Sequence, residues 1–567
     1  MTKKFEELPN EIFIECFEYL SAPDVFYSFD RLSDRFDTLI RTIPLWLNFE
    51  EFKKSKFNQF CQIILSNPEL KHKIISLKLS NEGTRGQIGE FLSLFPLNEF
   101  IKLRSLSLIG LKEENVRQLK PMLALLSNLY YFSFTELECR NSEILSELSK
   151  SKLRILSIPE FRYGKSILKE MSITTITISS CTANQLSKIF QCAMALKYLK
   201  IENFYSYTHV NNPLKFYTGN AVCLKQLIID DCKADFEMIE QCLKRTPNLT
   251  SFTINTYGHV SMIDADHWQH LIESSLLHLR VFNFYFSYCP FTDSYNDSLN
   301  KFQQFQTNFW SEQHHWHTNY EINNALASIY TMPYVWNKYE LFAPINNCDN
   351  LNGFDKVTEL TLSQMTIKDN SPYYFNNVKT LILTHENCFD EEMHEYKLQK
   401  EQIKFLNNIV NVSNIKHLKF PIRDDVLPSS SLLLEILKEL PYVSSLEINR
   451  GSLMSCASDH ELRKYLNTKI TTLKLCTNNC YYGYMKSDEV DLLLETFSNL
   501  EQLQCNFQCS NDLLLILKKF SKLLIINSPY ITKEVHSWIQ ENASKLNVYI
   551  DFYEIDNDND DDDELDL

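Results

Sequence analysis

Three closely spaced histidines, His314, His315 and His317, flanked by Trp310 and Trp316, form the densest set of metal-ligating side chains in the sequence. Zinc needs three or four ligands converging on one point, whereas neighbouring residues of a strand point to opposite faces. The cluster therefore reads as packed or surface histidine. No CxxC occurs; the nearest cysteine pairs are Cys476/Cys480 and Cys505/Cys509, and neither His394-Glu395 nor His460-Glu461 is completed to HExxH. Gly83, Gly86 and Gly89 have a GxxGxxG spacing that fits neither a dinucleotide fingerprint nor a P-loop, and no GxSxG elbow is present. Asp556, Asp558 and Asp560 imitate the start of a calcium loop, but Asp561 stands where that loop needs Gly and Leu567 where it needs Glu. No catalytic residue, metal or cofactor is expected from these motifs.

One short pattern recurs along the chain: apolar-x-x-apolar-x-apolar. It runs through KIISLKL, KLRSLSL, NLYYFSF, KLRILSI, SITTITI, ALKYLKI, CLKQLII, NLTSFTI and HLRVFNF. The central apolar positions are 77, 106, 132, 156, 176, 199, 227, 252 and 282, a mean spacing near 26. The pattern resumes at KVTELTL (Leu360) and continues through NVKTLIL, NIKHLKF, YVSSLEI, KITTLKL, NLEQLQC and KLLIINS (Ile526). This is the leucine-rich-repeat period of ~20–29 residues. Some copies keep the following Asn/Cys position, at Cys181, Cys232 and Asn478, where a side chain turned inward satisfies loop backbone groups. Between the strand patterns, segments 113–127, 183–195, 235–248 and 431–442 carry apolar residues at helical spacing and often stop at Pro or Asn. A strand plus a helix cannot bury its apolar face alone, so stacked copies must share a continuous core. The expected fold is α/β: a leucine-rich-repeat solenoid of parallel strands with helices on the convex side. Residues 285–355 break the period, either as an aromatic-rich insertion or as eroded repeats.

The chain has 567 residues and a formal net charge of −16, of which ten acids and no base lie in Asp551–Leu567. The remainder is about −6, so a nucleic-acid partner is not expected. The 16 scattered cysteines, a start (MTKKFEELPNE) without an apolar leader, and no apolar run near ~20 residues imply a reducing cytoplasmic or nuclear compartment and no membrane span. The acidic end reads as a disordered, solvated tail.

Residues 5–50 have a different texture. Leu8-Pro9 opens a helix, and Ile12, Phe13, Cys16, Phe17 and Leu20 recur at helical spacing. Ser21-Ala22-Pro23-Asp24 breaks it and starts a second helix with Val25, Phe26 and Phe29; Arg35 to Leu39 lie on a third, and Trp46 follows. Three short helices are too small to build a core of their own. Leu8-Pro9-x-Glu11-Ile12, Phe17, Leu20, Pro23, Arg35-Phe36, Leu39 and Trp46, in that order, resemble the F-box family; Asp34-Arg35-Phe36 stands where the family often has Lys-Arg-Trp.

The resemblance covers about 45 residues and implies a small three-helix F-box ahead of the solenoid. It implies docking on a Skp-family adaptor, and through it a cullin–RING core, by Leu8, Pro9, Ile12, Phe13, Phe17, Leu20, Phe36, Leu39 and Trp46. The implied activity is that of a non-enzymatic substrate receptor of an SCF-type ubiquitin ligase; the alternative is a repeat scaffold that uses the F-box outside ubiquitination. A protein substrate is expected on the exposed strand face, where side chains alternate with buried ones: Tyr198, Lys200, Glu202, Gln226, Asp230, Glu359, His417, Lys419, Glu447, Lys474, Gln502 and Gln504. The organisation expected is F-box 1–50, repeats 51–284, the interruption 285–355, repeats 356–550 and tail 551–567.

Overall fold

The computed structural model describes residues 8–552 apart from 51, 53, 82–85, 137–143, 145–151, 161–171, 206–218, 291–292, 324, 344–352, 364–365, 370, 372, 385–399, 421–428, 477–483, 508, 529–530 and 543–547. The acidic tail beyond residue 552, Gly83, His394-Glu395, Asn478 and Cys480 lie outside the described residues. The chain divides into two compact units. One runs to Tyr288 and includes Thr307–Trp316; the other comprises Cys289–Gln306 and the chain from His317 onward.

In the first unit, ten strands pair in parallel in chain order: β1 (Leu45–Asn48), β2 (Ile74–Ser80), β3 (Ser105–Leu111), β4 (Tyr131–Glu136), β5 (Ile155–Glu160), β6 (Thr175–Thr182), β7 (Tyr198–Tyr205), β8 (Gln226–Lys233), β9 (Ser251–Tyr257) and β10 (Val281–Tyr288). The nine central positions of the sequence pattern fall in a single register. Leu77 faces Leu106, and the row continues through Phe132, Leu156, Ile176, Leu199, Leu227, Phe252 and Phe282, all buried. Leu47 of β1 heads the row against Leu77. Helices Glu113–Leu123, Ala183–Cys192 and Phe236–Leu243 occupy the segments with helical spacing. Their apolar sides, such as Leu186, Ile189 and Phe190, are buried. Two of them are held by the local chemistry of the N-terminus: Thr182 and Gln185 make a reciprocal capping box, and Asp235 accepts from the Met238 N–H.

The second unit repeats the plan. β13 (Lys338–Leu341), β14 (Glu359–Ser363), β15 (Thr380–Thr384), β16 (His417–Lys419), β17 (Ser445–Asn449) and β18 (Thr472–Cys476) pair in parallel, followed by Gln502–Gln504, Ile525–Ser528 and Tyr549–Phe552. Tyr339, Leu360, Leu381, Leu418, Leu446, Leu473, Leu503, Ile526 and Ile550 share one register. Both units are leucine-rich-repeat stacks, each strand burying every second residue against its neighbours.

The interruption at 285–355 is neither of the two expected extremes. A helix at Tyr295–Gln303 and an antiparallel hairpin, β11 (His317–Ile322) with β12 (Ala327–Met332), are inserted, and the parallel ladder resumes at β13. Tyr339 takes the position that Leu, Ile or Phe takes elsewhere, and its hydroxyl hides that repeat from a pattern keyed to fully apolar residues. The module boundary also shifts. Residues 45–48, placed with the N-terminal module by sequence, are the first strand of the sheet, and Phe26 packs edge-on against Phe60 of the helix Lys54–Ser66 at 5.7 Å. The module is built onto the stack, which supplies the core that three short helices lack.

Loop backbone groups are satisfied by two sets of side chains. Near the ends of the strands, the Cys181 and Cys232 thiols donate to the carbonyls of Thr182 and Ala234, and Asn203 Nδ2 donates to Ser179 O at 2.9 Å. Before the strands, a second set does the same across repeats: Asn128 to Ile101 O, Asn248 to Val222 O, Asn377 to Asp355 O, Asn414 to Asn376 O and Asn499 to Asn467 O, all at 2.8–3.0 Å. The sequence shows this asparagine as the first letter of NLYYFSF, NLTSFTI, NVKTLIL, NIKHLKF and NLEQLQC.

Candidate functional site

The N-terminal module comprises α1 (Asn10–Glu18), α2 (Ala22–Phe29) and α3 (Asp34–Thr42). α2 and α3 begin at Ser21 and Ser33, whose hydroxyls accept from the backbone N–H groups of Asp24 and Phe36. Arg35 on α3 fixes the start of α1: it donates to Asn10 Oδ1 at 2.7 and 2.9 Å and to Leu8 O, and its guanidinium sits 5.4 Å from the Phe13 ring centre. Phe13 meets Phe36 edge-on at 4.8 Å, and Phe17 and Phe36 both pack on Phe29, at 4.9 and 5.4 Å.

This packing corrects part of the expected contact surface. Phe13, Phe36 and Leu39 are buried inside the module and shape the face rather than form it, whereas Phe17, also buried, lines the groove beside it. The reason is geometric: α1 has apolar residues on nearly every side, and the rings take the side towards α2 and α3. What α1 and the turn after it leave outward also includes apolar side chains: Ile12, Ile14, Cys16, Tyr19 and Leu20 are exposed beside Glu11 and Glu15. Pro9 is exposed and Leu8 half-buried at the start of α1. Trp46 points out from β1, 54% exposed, while its neighbours Leu45 and Leu47 point in.

Of these residues, Ile14, Leu20 and Trp46 border an apolar groove of about 240 Å³, whose lining is completed by Phe17, Ala22, Val25, Ile43, Pro44 and Leu45. Ile14, Val25, Ile43 and Pro44 belong to it but were absent from the sequence-based set. A helix with apolar residues on the side away from its own core needs a further partner, and that signal, Ile12, Ile14 and Cys16 beside the core-facing Phe13 and Phe17, is present in the sequence. The groove holds no titratable pair and no nucleophile. It can bind an apolar surface and do no chemistry.

The strand-face residues behave differently. In the first unit Tyr198, Lys200 and Glu202 lie on β7, and Gln226 and Asp230 on β8, all half-buried, with Lys200 Nζ 2.8 Å from Asp230. In the second unit Lys338, Glu359, Lys419, Glu447 and Lys474 form an alternating ladder. Its contacts are 3.2 Å (338–359), 3.8 Å (419–359), 3.9 Å (419–447) and 3.3 Å (474–447). These charges are engaged with one another, so a ligand at Glu359, Lys419, Glu447 or Lys474 would have to displace the pairs before using either charge. His417 is exposed, with its pKa held below the usual imidazole value by burial of the ring and by Lys419 and Lys416; Gln502 is exposed and Gln504 half-buried.

The histidine cluster is taken up by packing. His314 stacks on Trp316 at 4.1 Å and meets Phe309 at 4.6 Å, and burial lowers its pKa; His315 and His317 are exposed. Trp310 and Trp316 cover Phe282 at 6.2 and 5.7 Å. Among the described residues no three His, Cys, Asp or Glu side chains come within reach of one metal ion, and no helix is long and apolar enough to cross a membrane. Burial pushes the Cys61 and Cys232 thiols up to about 12 and Cys476 to about 11, so these cysteines stay protonated at neutral pH.

One buried acid stands apart. Glu321 on β11 is fully buried and accepts four hydrogen bonds: from the Tyr339 and Tyr330 hydroxyls on one oxygen, and from the Phe342 and Ala343 N–H groups, at 3.2 and 3.3 Å, on the other. Loss of hydration outweighs those bonds and raises its pKa to about 8.

No protein-family model matches the sequence, and no curated protein matches it. Among solved structures, the chain is similar to the Rad7 and Elc1 complex in yeast, at 10% identity over 94% of this chain and 96% of that chain, TM-score 0.24. It is similar to an internalin (inlF) from Listeria monocytogenes at 12% over 71% and 81%, TM-score 0.19, and to the LRR protein LIC12759 of Leptospira interrogans at 11% over 87% and 98%, TM-score 0.20. At scores this low the superpositions carry no argument. The repeat assignment rests on the register of the strands.

Proposed function

We propose that this chain is the substrate-receptor subunit of an SCF-type ubiquitin ligase. In this reading the N-terminal module docks on a Skp-family adaptor and through it on a cullin–RING core, and the repeat stack binds a protein substrate. The observation that carries the reading is α1: its inward face completes the module, and its outward face, with Leu20 and Trp46, borders an open apolar groove. The F-box-like residues supply the identity of the partner. The chain itself performs no chemistry here. Its contribution is proximity: a substrate lysine held near a ubiquitin-charged enzyme reacts as if within one molecule.

The test is purification of the tagged full-length chain from cells. Adaptor together with cullin supports the proposal. Adaptor without cullin supports the scaffold alternative. If adaptor binding is absent, or survives Leu8→Ala/Pro9→Ala together with Leu20→Asp, the docking role assigned to this face is wrong.

A further inference from the structure

One backbone row runs along the edge of the first unit where the strands begin. The residue just before each of β3 to β10 donates its N–H to the carbonyl of its counterpart in the preceding repeat: Arg104 to Ile75, Tyr130 to Arg104, Arg154 to Tyr130, and onward through Thr174, Lys197, Lys225 and Thr250 to Arg280. Five of these eight positions are Arg or Lys and none is acidic. All five cations are exposed, and among the described residues none has a carboxylate within ion-pair distance. In a chain with 56 bases and 72 acids, cations are the scarcer charge. A row of them left without acids is the reverse of what composition favours.

A second row accompanies the first. Three residues upstream of Arg104, Lys197, Lys225 and Arg280 stand Ile101, Met194, Val222 and Leu277, and all four are exposed. Four repeats thus present the same couple, an outward apolar side chain and an outward cation. The equivalent backbone row of the second unit runs Asn337, Thr358, Lys379, Lys416, Ser444, Thr471, Glu501 and Leu524, and has no such bias. The feature belongs to the first unit and is not a by-product of the repeat.

We infer that this edge is a docking surface for an acidic protein segment with interspersed apolar residues, bound in extended form across the starts of the strands. Strands lie ~4.8 Å apart, so the row from Arg104 to Arg280 spans about 34 Å, the reach of roughly ten extended residues. The upstream row is built of Ile, Met, Val and Leu, and among the described residues the cation row holds one exposed ring, Tyr130, so the surface lacks the succession of rings on which the bases of a single strand stack. The edge is distinct from the groove of the N-terminal module and does not depend on the function proposed for it.

The test uses the full-length chain and a fluorescein-labelled peptide of about twelve residues alternating glutamate and leucine, followed by anisotropy. Binding should weaken at least about tenfold between roughly 50 and 500 mM salt, and by a similar factor in Arg104→Glu/Arg154→Glu/Lys197→Glu. Met194→Ser/Val222→Ser should weaken binding without altering its salt dependence. All the substituted side chains are exposed, so the melting temperature should hold, and the salt series on the unaltered chain tests the charge row without any variant. No binding of the peptide, binding indifferent to the triple charge reversal, or selective binding of a 20-nucleotide oligothymidylate by the same residues would each overturn the inference.

Discussion

Replacing Trp46 by alanine separates a docking role from a structural one. The ring lies on the outward side of β1, 54% exposed, while Leu45 and Leu47 hold the strand in the core. A large aromatic can bury about 250 Å², so covering the exposed half of Trp46 removes roughly 130 Å² of mostly apolar surface from water. At about 25 cal/mol per Å² this contributes about 3 kcal/mol, or roughly a hundredfold in Kd. Titration calorimetry of the purified adaptor against full-length chain should show that loss in Trp46→Ala, with a melting temperature unchanged within about a degree. Phe36→Ala is the counterpart: this ring is buried against Phe13 and Phe29, so its loss should cost about 3–5 kcal/mol of local stability and lower the melting temperature. Adaptor affinity unchanged within about twofold in Trp46→Ala would refute the assignment of the groove. So would a fall in melting temperature that accounts for the whole effect.

Three further outcomes follow from the packing. Leu227→Ala, in the middle of the buried row of the first unit, should cost about 2–5 kcal/mol, read as a lower denaturant midpoint for that unit. Asn248→Ala should cost about 1 kcal/mol by removing the 2.8 Å bond to Val222 O, with hydrogen exchange rising at the turn before β9 and unchanged in the second unit. Glu321 should make the second unit pH-dependent. Its folded pKa of about 8 exceeds the ordinary 4.5, so the neutral acid favours folding, fully below pH 4.5 and progressively less as pH rises through 8. The difference is on the order of 5 kcal/mol at most. Denaturant unfolding of the second unit at pH 5, 7 and 9 should show this decline, and Glu321→Gln should flatten it; parallel profiles would count against the cause given.

The fold was legible because the repeat constrains its central position twice over. Leu106 is buried by its own helix and by Leu77 and Phe132 in the flanking strands, so a polar residue there would disrupt three repeats. Strand positions under that constraint stay apolar and keep their spacing. Where it slackens, the sequence misleads. β1 has a strand neighbour in the sheet on one side only, and its LWLN carries no full repeat pattern, so it reads as part of the helical module. β13 fills the central position with Tyr339 beside an inserted hairpin, and the period is lost although the strand pairs normally with β14. The asparagines before the strands were visible but read only as stop signals. Their bonds reach a repeat that lies some 22–38 residues earlier, and no local window connects the two.

For the candidate sites the difficulty was direction rather than identity. Apolar spacing marks Phe13, Phe17, Ile12 and Leu20 alike, because α1 is apolar on two faces. Only Arg35, which binds the start of α1, and Phe36, which draws Phe13 inward, decide which residues are left outside. The same holds for charge. Strand residues in adjacent repeats stand ~4.8 Å apart, so Lys419 and Glu447 found each other across β16 and β17 and became part of the scaffold. Such exposed pairs contribute at most about 1 kcal/mol each, yet a ligand would have to displace them before using either charge. At the starts of the strands in the first unit, Arg104, Arg154, Lys197, Lys225 and Arg280 have row neighbours that are isoleucine, tyrosine, threonine or one another, and among the described residues none of the five has a carboxylate within ion-pair distance. A charged row that the stack does not neutralise is open to a partner in a way the paired ladder is not.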